Sequence, residues 1–147
     1  MSSAGLRLVA GRIPGEQIAL TTSTSDSSTW TTTETLADTV TAPLVTGRTY
    51  KVVWTGGLVS TVAGDVAALR MRQDVITTGT VMVERAFYIA STASAGFGYY
   101  LEARFTAVST ADKTFVVGAL RNAGTGTHHA DGTATRPRYM YVEYISG

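Results

Sequence analysis

The chain has no cysteine, which excludes a disulfide framework and any zinc site built on thiolates, and is compatible with synthesis in a reducing cytosol. It also lacks an excess of charge of either sign: twelve basic and eleven acidic residues leave a net charge of +1. The basic side chains stand singly or in pairs, so the footprint of a nucleic-acid-binding surface is missing and no direct nucleic-acid partner is expected. No stretch approaches the roughly 18 consecutive apolar residues of a transmembrane helix, and no membrane partner is expected. Met1 to Gly15 lack the basic start and the apolar run of about 7–15 residues that mark a secretory signal.

What is present points to strands. Threonine makes up roughly one residue in six, and its β-branched side chain suits a pleated sheet better than a helix. At 147 residues the chain can bury about 68–70% of the surface its unfolded form exposes, enough for one core without a metal or a disulfide.

Residues 1–20 carry Leu6, Leu8, Val9, Ile13, Ile18 and Leu20, interrupted by Gly5, Gly11 and Pro14-Gly15. That is too apolar for a solvated tail and too broken for a helix, so it reads as a docking arm, with an ordinary first strand as the alternative. Residues 21–34 form a Ser/Thr tract containing Trp30, read as a linker or first strand. From residue 35 to 147 strands and turns alternate. Ala67, Leu69 and Met71 oppose Arg70 and Arg72. Phe97, Tyr99, Leu101, Ala103 and Phe105 oppose Glu102, Arg104 and Thr106. Period two over such lengths excludes a helix. Seven or eight strands and no helical period predict an all-β fold, an antiparallel β-sandwich of jelly-roll type preceded by a short N-terminal arm. The insert from Asn122 to Pro137 is expected to be an end loop or a crossing between sheets.

Chemistry is hard to find. His128 and His129 are the only histidines; neighbours on an extended chain point in opposite directions, and only Asp131 lies nearby as a third ligand. An exposed polar loop is therefore expected, and no metal site or other cofactor. No Gly-x-Ser-x-Gly elbow is present for Ser-His-Asp catalysis, and no glycine-rich loop joins a strand to a helix to cradle phosphate. Glu34, Asp38, Glu84, Glu102 and Glu143 sit in strands, on polar faces or beside Arg residues, and read as solvated cross-strand partners, not as paired glycosidase carboxylates. Asp65 and Asp112 read as turn residues bonded to local amides. No catalytic residue is assigned, and no enzyme activity is expected. Of the aromatics, Trp30, Trp54, Tyr99, Tyr100, Tyr139, Tyr141 and Tyr144 fit a core or a subunit interface better than a sugar-stacking platform. The last strand stands apart: Tyr139, Tyr141 and Ile145 alternate with Met140, Val142 and Tyr144. Both faces are apolar or aromatic, so a second layer should cover the outer one, and another subunit can supply it.

Three runs carry a resemblance: Ile13-Pro14-Gly15-Glu16-Gln17-Ile18, Trp30-Thr31-Thr32-Thr33-Glu34-Thr35 and Ala42-Pro43-Leu44-Val45-Thr46-Gly47-Arg48-Thr49-Tyr50-Lys51-Val52. With Ser60-Thr61-Val62-Ala63-Gly64-Asp65, Ala111-Asp112-Lys113-Thr114-Phe115 and the ending Tyr139-Met140-Tyr141-Val142-Glu143-Tyr144-Ile145, the chain resembles small virion structural proteins of tailed phages that infect actinobacteria. The resemblance implies a β-sandwich, often trimeric, displayed on the particle as a capsid decoration, head-fibre or minor tail protein, with no active site. Itself as a homotrimer, and a major capsid protein or tail protein, are the partners it implies; a tail role would add a host-surface glycan. Leu6, Val9, Ile13, Ile18, Tyr139, Tyr141 and Tyr144 are the expected assembly contacts.

Overall fold

The computed structural model describes residues 13–90, 92 and 98–147. Among these residues nine strands form: β1 (Gln17–Ser23), β2 (Thr35–Leu44), β3 (Thr49–Ser60), β4 (Asp65–Gln73), β5 (Val81–Ile89), β6 (Tyr99–Thr106), β7 (Ala111–Ala123), β8 (His128–Asp131) and β9 (Arg138–Ser146). One sheet has the order β1-β9-β3-β6, with β8 also paired to β3; the other has the order β2-β7-β4-β5. Every pairing is antiparallel. Setting β8 aside, the chain changes sheet at every connection except the β4–β5 hairpin. That is the topology of an eight-stranded jelly roll, the all-β sandwich expected from the alternation.

The alternating residues meet between the sheets. Tyr50, Val52 and Trp54 of β3, Leu101 of β6 and Met140, Val142 and Tyr144 of β9 face Val40 and Ala42 of β2, Ala67, Leu69 and Met71 of β4 and Phe115 and Val117 of β7, all in one buried cluster. At one end Tyr50 stacks on Phe105 with centroids 5.8 Å apart, and Phe105 meets Phe115 at 5.1 Å. The Tyr50 hydroxyl accepts the Val45 N–H at 3.0 Å, fixing the crossing from β2 to β3. There Gly47 adopts φ 81°, a conformation that other residues reach only with strain.

Gly56-Gly57 lies within β3, which runs on to Ser60. The glycines are there for space: a Cβ at Gly56 would lie 2.8 Å from Cγ of Arg138, and one at Gly57 would lie 3.2 Å from Cβ of Asp131. The turn placed at Ala111-Asp112 falls earlier, since β7 already begins at Ala111. The insert from Asn122 to Pro137 does cross between the sheets, from β7 to β9, and it also contains β8, which takes over from β9 along β3. Pairing with β9 ends at Thr55–Tyr139 and pairing with β8 begins at Gly57–Asp131.

The boundary drawn at residue 20 falls inside β1. The chain before it turns at Gly15, with φ 86°, and the Gly15 N–H donates to Tyr144 O at 2.8 Å. The described end of the arm thus lies on its own sheet. Ile18 packs against the core and Ile13 is 62% exposed. Leu6 and Val9 lie outside the described residues.

Candidate functional site

Among the described residues, polar clusters join partners far apart in sequence. The first centres on Asp38. A register shift between Leu36 and Asp38 buries both Ala37 and Asp38, although strict alternation would send one of them to solvent. Asp38 Oδ2 accepts Trp54 Nε1–H at 2.7 Å and Arg138 Nε–H at 2.8 Å; Oδ1 accepts Arg138 Nη2–H at 3.1 Å and the Ser23 hydroxyl at 2.6 Å. Arg138 Nη1–H donates to the carbonyls of Ser25 and Ala130. The ion pair ties β2, β3, β8 and β9 to the segment after β1.

The second cluster joins β4 to β8. Asp65 Oδ2 accepts from the Ser60 hydroxyl at 3.0 Å and the Gly126 N–H at 2.7 Å, and lies 3.1 Å from Nε2 of His128; Oδ1 takes the Thr125 N–H at 3.3 Å. Burial opposes ionisation of Asp65, but the hydrogen bonds from His128, Gly126, Ser60 and Thr125 outweigh it and hold its pKa at about 2. His128 is fully buried and meets Trp30 edge-on, with centroids 6.3 Å apart. Its Nδ1 and the Nε1 of Trp30 are buried without a hydrogen-bond partner.

The third cluster lies on the outer side of the second sheet. Arg72 grips Glu34 with Nε–H and Nη2–H at 2.8 and 2.9 Å and donates Nη1–H to Gly79 O at 2.7 Å. Arg70 lies 3.4 Å from the same carboxylate and also pairs with Glu84. The Glu34 side chain runs across Gly118, where a Cβ would stand 2.2 Å from its Oε1. Burial raises the pKa of Glu34, but Arg72 and Arg70 more than reverse this and lower it. Changing Glu34 to Gln should cost about 2 kcal/mol in urea unfolding, since it leaves the largely buried Arg72 without its counter-charge.

These clusters correct the sequence reading at several residues. His128 belongs to a strand inside the sandwich, not to an exposed loop. Asp65 is buried at the start of β4 and serves more than its local turn. Glu34 and Asp38 are buried ion-pair partners, not solvated ones. Trp30, read as part of a linker, is a core residue bridged to His128 by backbone hydrogen bonds. Each of these carboxylates faces a cation or several fixed donors, an arrangement that holds structure together.

The outer side of the first sheet is different. Cross-strand partners form two rows, Leu20–Tyr141–Val53–Glu102 and Thr22–Tyr139–Thr55–Tyr100, running from β1 through β9 and β3 to β6. Leu20 is 53% exposed, Tyr100 51% and Tyr139 38%. The next row pairs Lys51 with Glu143 at 3.2 Å. Tyr100 donates its hydroxyl to Glu102; burial, then this bond, raises the phenol's pKa. Tyr139 and Tyr141 thus share this open face with Tyr100. Tyr144, on the opposite side of β9, is buried in the core and donates to Gly147 O at 2.7 Å.

A jelly-roll β-sandwich with buried ion pairs and one open tyrosine-bearing sheet is the class these observations define. No protein-family profile matches the sequence, and no curated protein matches it. Among solved structures, the chain is similar to a CBM4 protein over 79% of its own length and 84% of the other chain, at 11% identity and a TM-score of 0.40. It is similar to a family 16 carbohydrate-binding module over 90% and 84%, at 11% identity and a TM-score of 0.28. A chain of the infectious bursal disease virus Gt strain is matched over 87% of this chain but 36% of its own length, at 12% identity and a TM-score of 0.36. At these values the likenesses carry no argument about function.

Proposed function

We propose that the chain is a non-catalytic virion structural protein, a phage capsid decoration protein whose jelly roll assembles as a homotrimer, and that the outer side of the β1-β9-β3-β6 sheet is the surface on which copies meet. One observation carries the reading: Leu20, Tyr139 and Tyr100 stand partly exposed on the outer side of one sheet, around a Val53 already buried among its neighbours on that side. Aromatic and aliphatic side chains gathered in this way are the composition of an interface centre, and the neighbouring Lys51–Glu143 and Arg104–Glu102 pairs supply a polar rim. Covering that face at roughly 25 cal/mol per Å² of apolar area would add cohesion between subunits. The resemblance to phage virion proteins supplies the particle, and an arm ahead of β1 offers a second attachment to a major capsid protein.

Sedimentation equilibrium provides the test. The wild-type chain should have three times the 15.5 kDa mass of one copy, and Tyr141→Arg combined with Leu20→Glu should sediment as a single folded chain. A wild-type monomer at micromolar concentration would count against the proposal.

The Tyr100–Glu102 pair favours a second reading, in which the module belongs to the tail and binds cell-wall glycan. A phenol ring beside a carboxylate can stack on a sugar and accept its hydroxyls. On that reading Tyr100→Ala abolishes retention on host cell walls and leaves the mass unchanged.

A further inference from the structure

The two faces of β8 have separate partners. His128 points inward to Asp65, while residues two apart on a strand share a side, so His129 and Asp131 lie together. Asp26, from the segment between β1 and β2, completes a group in which one ligand atom from each residue lies within 4.8 Å of the others. Nε2 of His129 is 3.5 Å from Oδ2 of Asp26. We infer that Asp26, His129 and Asp131 bind a divalent transition-metal ion, zinc fitting best, and that the ion fastens the 24–29 segment onto β8.

Three observations support this. The first is chemistry. One imidazole and two carboxylates are a mixed nitrogen and oxygen set with a combined charge that a divalent ion neutralises; calcium and magnesium favour oxygen alone, whereas zinc accepts both and leaves a fourth position for water. The second is spacing. Ligand atoms about 2.0–2.2 Å from a tetrahedral ion stand roughly 3.4 Å from one another. The His129–Asp26 separation already matches that distance, although 3.5 Å is long for a good hydrogen bond.

The third is the frame that holds the ligands. Ser27 N–H donates to Ala130 O at 3.0 Å, and Ala130 N–H donates to the Ser27 hydroxyl at 2.9 Å. Gly132 N–H donates to Oδ1 of Asp26 at 3.1 Å, which orients the carboxylate and leaves Oδ2 directed at His129. Asp131 is buried, and Asp26 is the exposed member. The site therefore joins two segments about 100 residues apart beside the contacts that Arg138 makes with Ser25 and Ala130.

The experiment is titration of the EDTA-treated full chain with zinc chloride by calorimetry, alongside thermal unfolding with and without zinc. The expected result is one zinc per chain and a raised Tm. In His129→Ala, and separately in the conservative Asp26→Asn, affinity should fall by more than the roughly 10–100-fold that loss of an outer-shell partner costs, with the metal-free Tm close to wild type. Both replacements are at side chains that reach solvent, so folding is retained and circular dichroism confirms it. Failure of the wild type to bind, or equal binding by wild type and both variants, overturns the site. A wild-type monomer would overturn the assembly reading and leave this result standing.

Discussion

Arg138→Met should destabilise the fold by about 3–5 kcal/mol, the usual cost of stranding a buried charge. Asp38 would stay inside the sandwich with the Trp54 and Ser23 donors but without the guanidinium, and the carbonyls of Ser25 and Ala130 would lose their donor. Urea unfolding measures the loss. The double variant Asp38→Asn with Arg138→Met should be more stable than Arg138→Met alone, because a neutral amide leaves no unpaired charge. Equal stability of the single variant and the wild type would show that the pair does not hold β9 to β2.

The second large effect is expected at Asp65. Asp65→Ala leaves the His128 ring, the Gly126 and Thr125 amides and the Ser60 hydroxyl without their shared acceptor, and each buried donor left unsatisfied costs about 1–3 kcal/mol. The pH dependence gives an independent signature. The carboxyl has a pKa of about 2 in the folded chain against an ordinary 3.8, so the folded state binds fewer protons than the unfolded one between these values. The stability that Asp65 contributes is fully present above pH 4 and is lost as pH falls towards 2. The lowered carboxyls of Glu34 and Glu102 act in the same direction. Acid unfolding of Asp65→Asn should therefore be shallower across this range than that of the wild type. An unchanged slope would mean that the carboxylate is not held by these donors.

The outline of the fold was legible because its central strands are regular. Ala67, Leu69 and Met71 announce β4, and Leu101 and Ala103 announce β6, by period two alone. The polar clusters were not legible, because their partners are separated by 38 residues for Glu34 and Arg72, 63 for Asp65 and His128 and 100 for Asp38 and Arg138. Asp38 was hidden further by the register shift beside it, which breaks the alternation that marks an inward residue. β8 was missed because four residues between glycines carry no periodic signal. One local clue did exist: Gly124 and Gly126 flank a segment that must approach another chain segment closely, and a Cβ at Gly124 would lie 1.8 Å from Oδ1 of Asp65. The last strand, apolar on both sides in the sequence, divides between two environments. Its Tyr139 and Tyr141 are on the open face, while Met140, Val142 and Tyr144 fill the core.

The pair of Arg138 with Asp38 joins β9 of one sheet to β2 of the other, and the pair of Arg72 with Glu34 joins β4 to the segment before β2. On the proposed assembly, a face ordered in this way before association would give up little conformational entropy, so more of its apolar burial would appear as affinity.

Electron cryomicroscopy of intact particles carrying this chain, traced to side-chain detail, tests the assembly claim most directly. The account predicts three copies around a three-fold axis at regular shell positions, with Leu20, Tyr139 and Tyr141 buried between subunits. Density at the tail alone, or this face open to solvent in every copy, would contradict it.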